Sequence, residues 1–251
     1  MPGMVVQNGI VNYVAVGRGR PIVFLHGWLG AWRYWWSTLS ALNGYRCYGL
    51  DLWGFGGSDK IPGQYDVDTY VSLLDEFLNQ VGIAFGVPVI GHALGAAVAV
   101  RFAERFPEMV ACVGTVSLPV VGKSINHRLY KKKDITLDRL ISSKQAQSIY
   151  HEVVQDLDRA DPEAITSSAR SVAALDLRPA LASLRTPVLA VHGVKDTIVA
   201  PPPREWIEAT NQTHITPVLF EHSAHFPMLD EPLKFQRLLR EFLVGCAMVD
   251  R

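Results

Sequence analysis

The segment Gly91-His92-Ala93-Leu94-Gly95 has the spacing of a G-x-S-x-G turn, with a methyl group where the serine hydroxyl would stand. In such a turn an apolar strand runs straight into a helix, and the central side chain is presented above the sheet to a reacting carbonyl. Here Pro88-Val89-Ile90 ends the apolar run and an Ala-rich stretch beginning Ala96-Ala97 follows. The two glycines let the backbone turn tightly and the helix pack close to its neighbours. Acyl transfer at such a turn needs a nucleophile, a base within hydrogen-bond reach, and a group that holds the base in one tautomer. Position 93 is the nucleophile position, and alanine cannot attack a carbonyl.

Four other motifs accompany this turn in a fixed order. His26-Gly27-Trp28-Leu29-Gly30 and Asp51-Leu52-Trp53-Gly54-Phe55-Gly56-Gly57-Ser58-Asp59 each follow an apolar run upstream of it. Downstream come His192-Gly193-Val194-Lys195-Asp196 and Ser223-Ala224-His225-Phe226-Pro227. The ordered set resembles the α/β-hydrolase fold superfamily, in the branch of small carboxylesterases, lactonases and carbon–carbon bond hydrolases, over about residues 21–243 apart from one insertion. That family places its residues in the order Ser, Asp or Glu, His. The resemblance implies Ala93 at the nucleophile position, Asp196 as the orienting acid and His225 as the base. It also implies an oxyanion hole made by the backbone N–H groups of Trp28 and Leu94, donors worth ~3–4 kcal/mol each in related sites. In the same reading His26 supports the oxyanion loop and His92 is structural. Asp230 and Glu231 lie close to His225 in sequence, but they sit where the last helix begins and suit its N-terminus better.

The elements that must position these residues alternate. Segments 4–7 and 10–16 flank Asn8-Gly9, a hairpin signal. Continuous apolar runs at 21–25, 45–50, 87–90, 110–117, 187–191 and 213–220 have the character of parallel strands covered on both faces. Tyr70, Val71, Leu74, Phe77, Leu78 and Val81 share one helical face, and Phe235, Leu238, Leu239, Phe242 and Leu243 share another that Pro232 introduces. The pattern predicts an α/β protein: a mostly parallel, doubly wound sheet with an N-terminal antiparallel hairpin. The alternation breaks at 120–180, where Leu137, Leu140, Ile141, Ile149, Val153, Val154 and Leu157 read as a short helical cap between two parts of the core, 1–119 and 181–251.

Composition narrows the function classes. With 24 basic and 24 acidic residues among 251, no overall field favours nucleic acid or an anionic membrane. Lys131-Lys132-Lys133 reads as a solvated face. No window approaches the ~20 apolar residues of a membrane span, and the N-terminus lacks the pattern of a signal peptide, so a cytoplasmic protein is expected. Cys47 and Cys112 lie in apolar runs and Cys246 is left over, which suits reduced thiols. His127, His151, His214 and His222 have no ligand spacing, so neither a metal nor a cofactor is called for. Gly54, Gly56 and Gly57 read as a tight turn, not a phosphate loop. Trp28, Trp32, Tyr34, Trp35 and Trp36 form a dense aromatic cluster. Trp28 and Trp32 from this cluster, with Phe226, are the expected walls of a pocket for a small hydrophobic ester, lactone or ketone. Two readings of Ala93 remain. In the favoured one, alanine is an engineered replacement of the serine of a working hydrolase. In the other the chain is naturally nucleophile-free and acts as a ligand-binding module or a His-Asp base catalyst. Oligomeric state stays open.

Overall fold

The computed structural model describes residues 3–7, 9–28, 30–131, 150–203, 205–206, 209 and 214–249. Strands β1 (Gly3–Val6) and β2 (Gly9–Gly17) form an antiparallel hairpin in which Val6 faces Gly9. Then follow β3 (Arg20–Leu25), a 3-10 turn (Trp32–Trp35) that runs into α1 (Trp36–Ala41), and β4 (Tyr45–Leu50). Next come α2 (Val67–Gln80), β5 (Val87–His92), α3 (Leu94–Arg105) and β6 (Val110–Val116). The helices α4 (Arg128–Lys131), α5 (His151–Leu157), α6 (Pro162–Ala173) and α7 (Arg178–Ser183) precede β7 (Val188–Gly193). The chain ends with β8 (Ile215–Phe220), α8 (Pro227–Asp230) and α9 (Pro232–Val249).

The eight strands form one sheet in the order β1-β2-β4-β3-β5-β6-β7-β8. Only the β1–β2 and β2–β4 pairings are antiparallel; the others are parallel. All six residues of β5 are buried, as a continuous apolar run covered on both faces should be, whereas β8 at the edge is buried only at its two ends, Ile215 and Phe220. From β3 the chain moves to one side for β4 and then to the other for β5. The loops leaving β3 and β5 therefore diverge at the carboxyl ends of neighbouring strands, where open α/β sheets form their ligand crevice.

Local chemistry fixes the helices as the spacing predicts. Asp66 caps α2, its carboxylate accepting the Thr69 N–H at 2.8 Å, and Tyr70, Val71, Leu74, Phe77 and Leu78 are buried together. Val81 is the residue just past the helix end. Asp161 caps α6 with Pro162 in its first turn, and Pro232 opens α9. The segment between β6 and β7 is pinned at its base by a bridge between Val121 and Asp176 and by the Asp161 N–H donating to the Gly54 carbonyl at 2.7 Å. Val153, Val154 and Leu157 lie on α5, with Val153 fully buried. Leu137, Leu140, Ile141 and Ile149 of the expected cap lie outside the described residues, as do Lys132 and Lys133 of the basic run, Asn8 of the hairpin turn, and Leu29. All three cysteines are buried and outside any disulfide, and burial pushes the Cys47 thiol up to about 12. Among the described residues no helix is long and apolar enough to cross a membrane.

Candidate active site

The turn after β5 is strained. Ala93 has φ 49° and ψ −105°, outside the left-handed well that non-glycine residues can visit at modest cost. Among the described residues only Gln7 and Ser117 are other non-glycines with positive φ. Strain of this kind costs about 1–3 kcal/mol and persists only where the surroundings over-determine it. They do so here. The Ala93 N–H donates to the Val116 carbonyl at 2.9 Å, the Gly95 N–H to the His26 carbonyl at 3.1 Å, and the Ala96 and Ala97 N–H groups both donate to the Ala93 carbonyl at 3.1 Å. A Cβ on Gly95 would fall 2.6 Å from the Leu25 carbonyl oxygen, and one on Gly91 would collide with the Gly95 backbone, so both positions demand glycine. Ala93 itself is fully buried.

The acid and the base come from loops after β7 and β8. His225 Nδ1 donates to Asp196 Oδ2 at 2.9 Å. The other carboxylate oxygen, Oδ1, accepts the N–H groups of Ile198 at 2.8 Å and Val199 at 2.9 Å. Burial opposes the charge on Asp196, but His225, His192 and these backbone donors outweigh it and hold the carboxyl well below the ordinary carboxylate range. The aspartate therefore remains an anion that orients the imidazole. Its competitors are engaged elsewhere. Asp230 accepts the Tyr150 hydroxyl at 2.5 Å and the Ala224 N–H at 2.8 Å, and Glu231 accepts the Ser223 hydroxyl at 2.7 Å. His225 is 2% exposed, and its Nε2 is a buried nitrogen without a hydrogen-bond partner among the described residues. Its ring centroid lies 4.5 Å from that of His92, the residue preceding Ala93. Such an unpaired buried nitrogen is unusual, because buried polar groups are ordinarily hydrogen-bonded.

The loop after β3 is held by its histidine. The Leu52 N–H donates to His26 Nε2 at 2.9 Å, so the ring proton must reside on Nδ1, which donates to the Gly27 carbonyl at 2.8 Å. That carbonyl shares a peptide plane with the Trp28 N–H, and its orientation is thereby set. Neither the Trp28 N–H nor the Leu94 N–H has a hydrogen-bond partner among the described residues. Leu94 is the first residue of α3, where an N–H has no intrahelical acceptor. Burial lowers the affinity of His26 for a proton and keeps it neutral.

The expected pocket residues separate. The Trp28 indole donates to Ser168 Oγ on α6 at 3.1 Å, tying the loop after β3 to the segment between β6 and β7. Phe226 is fully buried against His225, His92, Tyr34 and Tyr150, with ring centroids 5.0, 5.0, 5.7 and 4.9 Å away. The Trp32 Cβ lies near Gly49, and its ring meets Trp36 and the Arg33 guanidinium. Several participants carried no motif. Tyr34 accepts the Gly27 N–H at 2.6 Å and bonds His92 at 2.9 Å. Ser117 reaches the His225 carbonyl at 3.3 Å. The available signal for Tyr34 was a phenol among tryptophans, since a buried hydroxyl demands a partner.

This order of parts, with a strained turn after the third parallel-sheet strand in sequence and an acid–histidine pair after the last two, decides the fold. The chain is an α/β-hydrolase by fold. The family model described as "alpha/beta hydrolase fold" matches residues 20–134. A curated relative, the pimeloyl-[acyl-carrier protein] methyl ester esterase of Shewanella woodyi, is 26% identical, over 94% of this chain and 99% of its own. The enol-lactonase of Burkholderia xenovorans LB400 superimposes with a TM-score of 0.84 at 18% identity, covering 97% of this chain and all of that one. A serine-to-alanine mutant of the meta-cleavage product hydrolase of Pseudomonas fluorescens IP01 gives 0.79 at 20% identity, covering 98% of each. The similarity to esterases and other hydrolases supports a hydrolase.

Proposed function

We propose that this α/β-hydrolase carries a serine-hydrolase site for a small hydrophobic ester or lactone, complete except for the nucleophile oxygen, with Ala93 in its place. The observation that carries the reading is the His225–Asp196 pair, buried, hydrogen-bonded and with Nε2 unpaired, beside a turn that keeps its strain without a functional side chain. With serine at 93, its Oγ would attack the carbonyl carbon and its proton would pass to His225 Nε2. The Trp28 and Leu94 N–H groups would donate to the developing oxyanion. His225 would then protonate the leaving alcohol, and water would release the acid by the same steps in reverse. Trp28 and Phe226 shape the acyl side, and segment 120–180 acts as the cap over it.

The retained strain and partners support the reading in which alanine stands where a working enzyme has serine. A second reading rests on the unpaired Nε2: a naturally nucleophile-free chain that binds the carbonyl compound, or uses His225 alone as a base. Assay of the chain and of Ala93→Ser on a panel of esters, lactones and activated diketones separates them. The first reading expects turnover only in the serine form, higher by about 10⁶-fold. Saturable binding with equal turnover, or none, in both forms favours the second.

A further inference from the structure

We infer that Tyr34 and His92 are positioning residues that couple the loop carrying the Trp28 N–H to the loop carrying His225 through one unbroken chain of hydrogen bonds. The kinetic consequence rests on the proposed hydrolase reading; the hydrogen-bond chain does not.

The direction of every bond in the chain is determined. The His225 carbonyl can only accept, so His92 Nε2, 2.8 Å away, must carry the proton. His92 Nδ1 is then an acceptor, and the Tyr34 hydroxyl 2.9 Å away must donate to it. The phenol oxygen in turn accepts the Gly27 N–H at 2.6 Å. No group is free to reverse. Burial, then the neighbouring His225, holds His92 well below the ordinary histidine range, so the ring stays neutral beside a base that must take up charge.

Each end of the chain lands on a backbone group that sets a reacting one. At Gly27 the N–H is held by Tyr34 and the carbonyl by His26, which fixes the peptide whose own N–H belongs to Trp28. At His225 the carbonyl is held from two strands, by His92 at the end of β5 and by Ser117 just after β6. Tyr34 and His92 are 2% and 1% exposed, and Phe226 lies against both rings, so water cannot replace a lost partner. Buried polar groups that merely needed satisfaction would require no such pairing of the two loops. Misplacement of either loop by about 1 Å costs up to about 10²-fold in rate.

Two measurements test this. In the chain as it stands, ¹⁵N NMR of the histidines should show His92 as the Nε2–H tautomer. Tyr34→Phe should move the His225 Nδ1–H resonance and speed exchange of the Gly27 amide. In the Ala93→Ser background, Tyr34→Phe and His92→Leu should lower kcat about 10- to 100-fold with KM within about twofold. They should weaken a trifluoromethyl ketone, which mimics the tetrahedral state, by the same factor. His92→Gln, whose amide can accept from Tyr34 and donate to the His225 carbonyl, should recover most of what His92→Leu loses. An Nδ1–H tautomer, an unmoved His225 resonance, or a folded Tyr34→Phe enzyme with unchanged kcat overturns the inference. If the serine form hydrolyses no ester, the hydrolase reading fails, and the NMR measurement still decides the coupling.

Discussion

Two regions of the site differ in what they have kept. The loops after β7 and β8 hold both geometry and the groups that the proposed reading makes reactive: Asp196 is fixed by two backbone donors and His225 by Asp196, with an unpaired nitrogen on the far side of the ring. The turn after β5 holds geometry alone, an alanine at φ 49° secured by bonds to β6 and to the loop after β3. The difference shows that the turn's conformation does not depend on its side chain. It is imposed by tertiary contacts and by glycines that admit nothing larger, so restoring one oxygen should restore a site rather than perturb a fold.

The largest expected effect probes the side that kept its chemistry. In the Ala93→Ser form, Asp196→Asn should cut turnover about 10⁴-fold, because the imidazole loses the anion that selects its tautomer. Ligand affinity should change little, and equal losses in affinity and turnover would show that Asp196 organises the pocket rather than the base. A smaller effect separates the histidines. Burial lowers His26, His92 and His192 below the ordinary value near 6.5, so the unfolded chain binds protons that the folded one refuses. Stability should therefore be level above pH 7 and fall as pH drops through about 6.5, with unfolding taking up as many as three protons, a slope approaching ~4 kcal/mol per pH unit. Urea denaturation at pH 7.5 and 5.5 measures this, and equal stability at both would contradict the neutral, buried assignments. The smallest effect probes the side that kept only geometry. Ala93→Gly relieves strain of about 1–3 kcal/mol against the usual entropic cost of glycine of about 1 kcal/mol. It should raise stability by about 1 kcal/mol, and a lowered melting temperature would mean the turn is not strained.

Much of this was legible in the sequence, and the boundary of legibility is physical. The strands of the parallel sheet read clearly because a strand buried on both faces must be apolar throughout, as β5 is. The turn at position 93 and the contact between Asp196 and His225 were legible because their neighbours are constrained: glycines where a Cβ has no room, and an acid and a histidine just past strand ends. Tyr34 and Ser117 were not, since each acts through one hydroxyl whose partner is a backbone group more than five residues away in sequence. Trp32 reads as a pocket wall by proximity to Trp28, yet in the 3-10 turn its Cβ lies near Gly49 and its ring meets Trp36 and Arg33. No periodicity encodes the rotation of a one-turn helix.

The central claim is that only the nucleophile oxygen is missing. Its most direct test is mass spectrometry of Ala93→Ser after exposure to a fluorophosphonate, with and without an excess of a hydrophobic ester. The account predicts one adduct, on the peptide holding residue 93, suppressed by the ester and absent from the chain with alanine. An unlabelled serine form, or an adduct at any other residue, would contradict it.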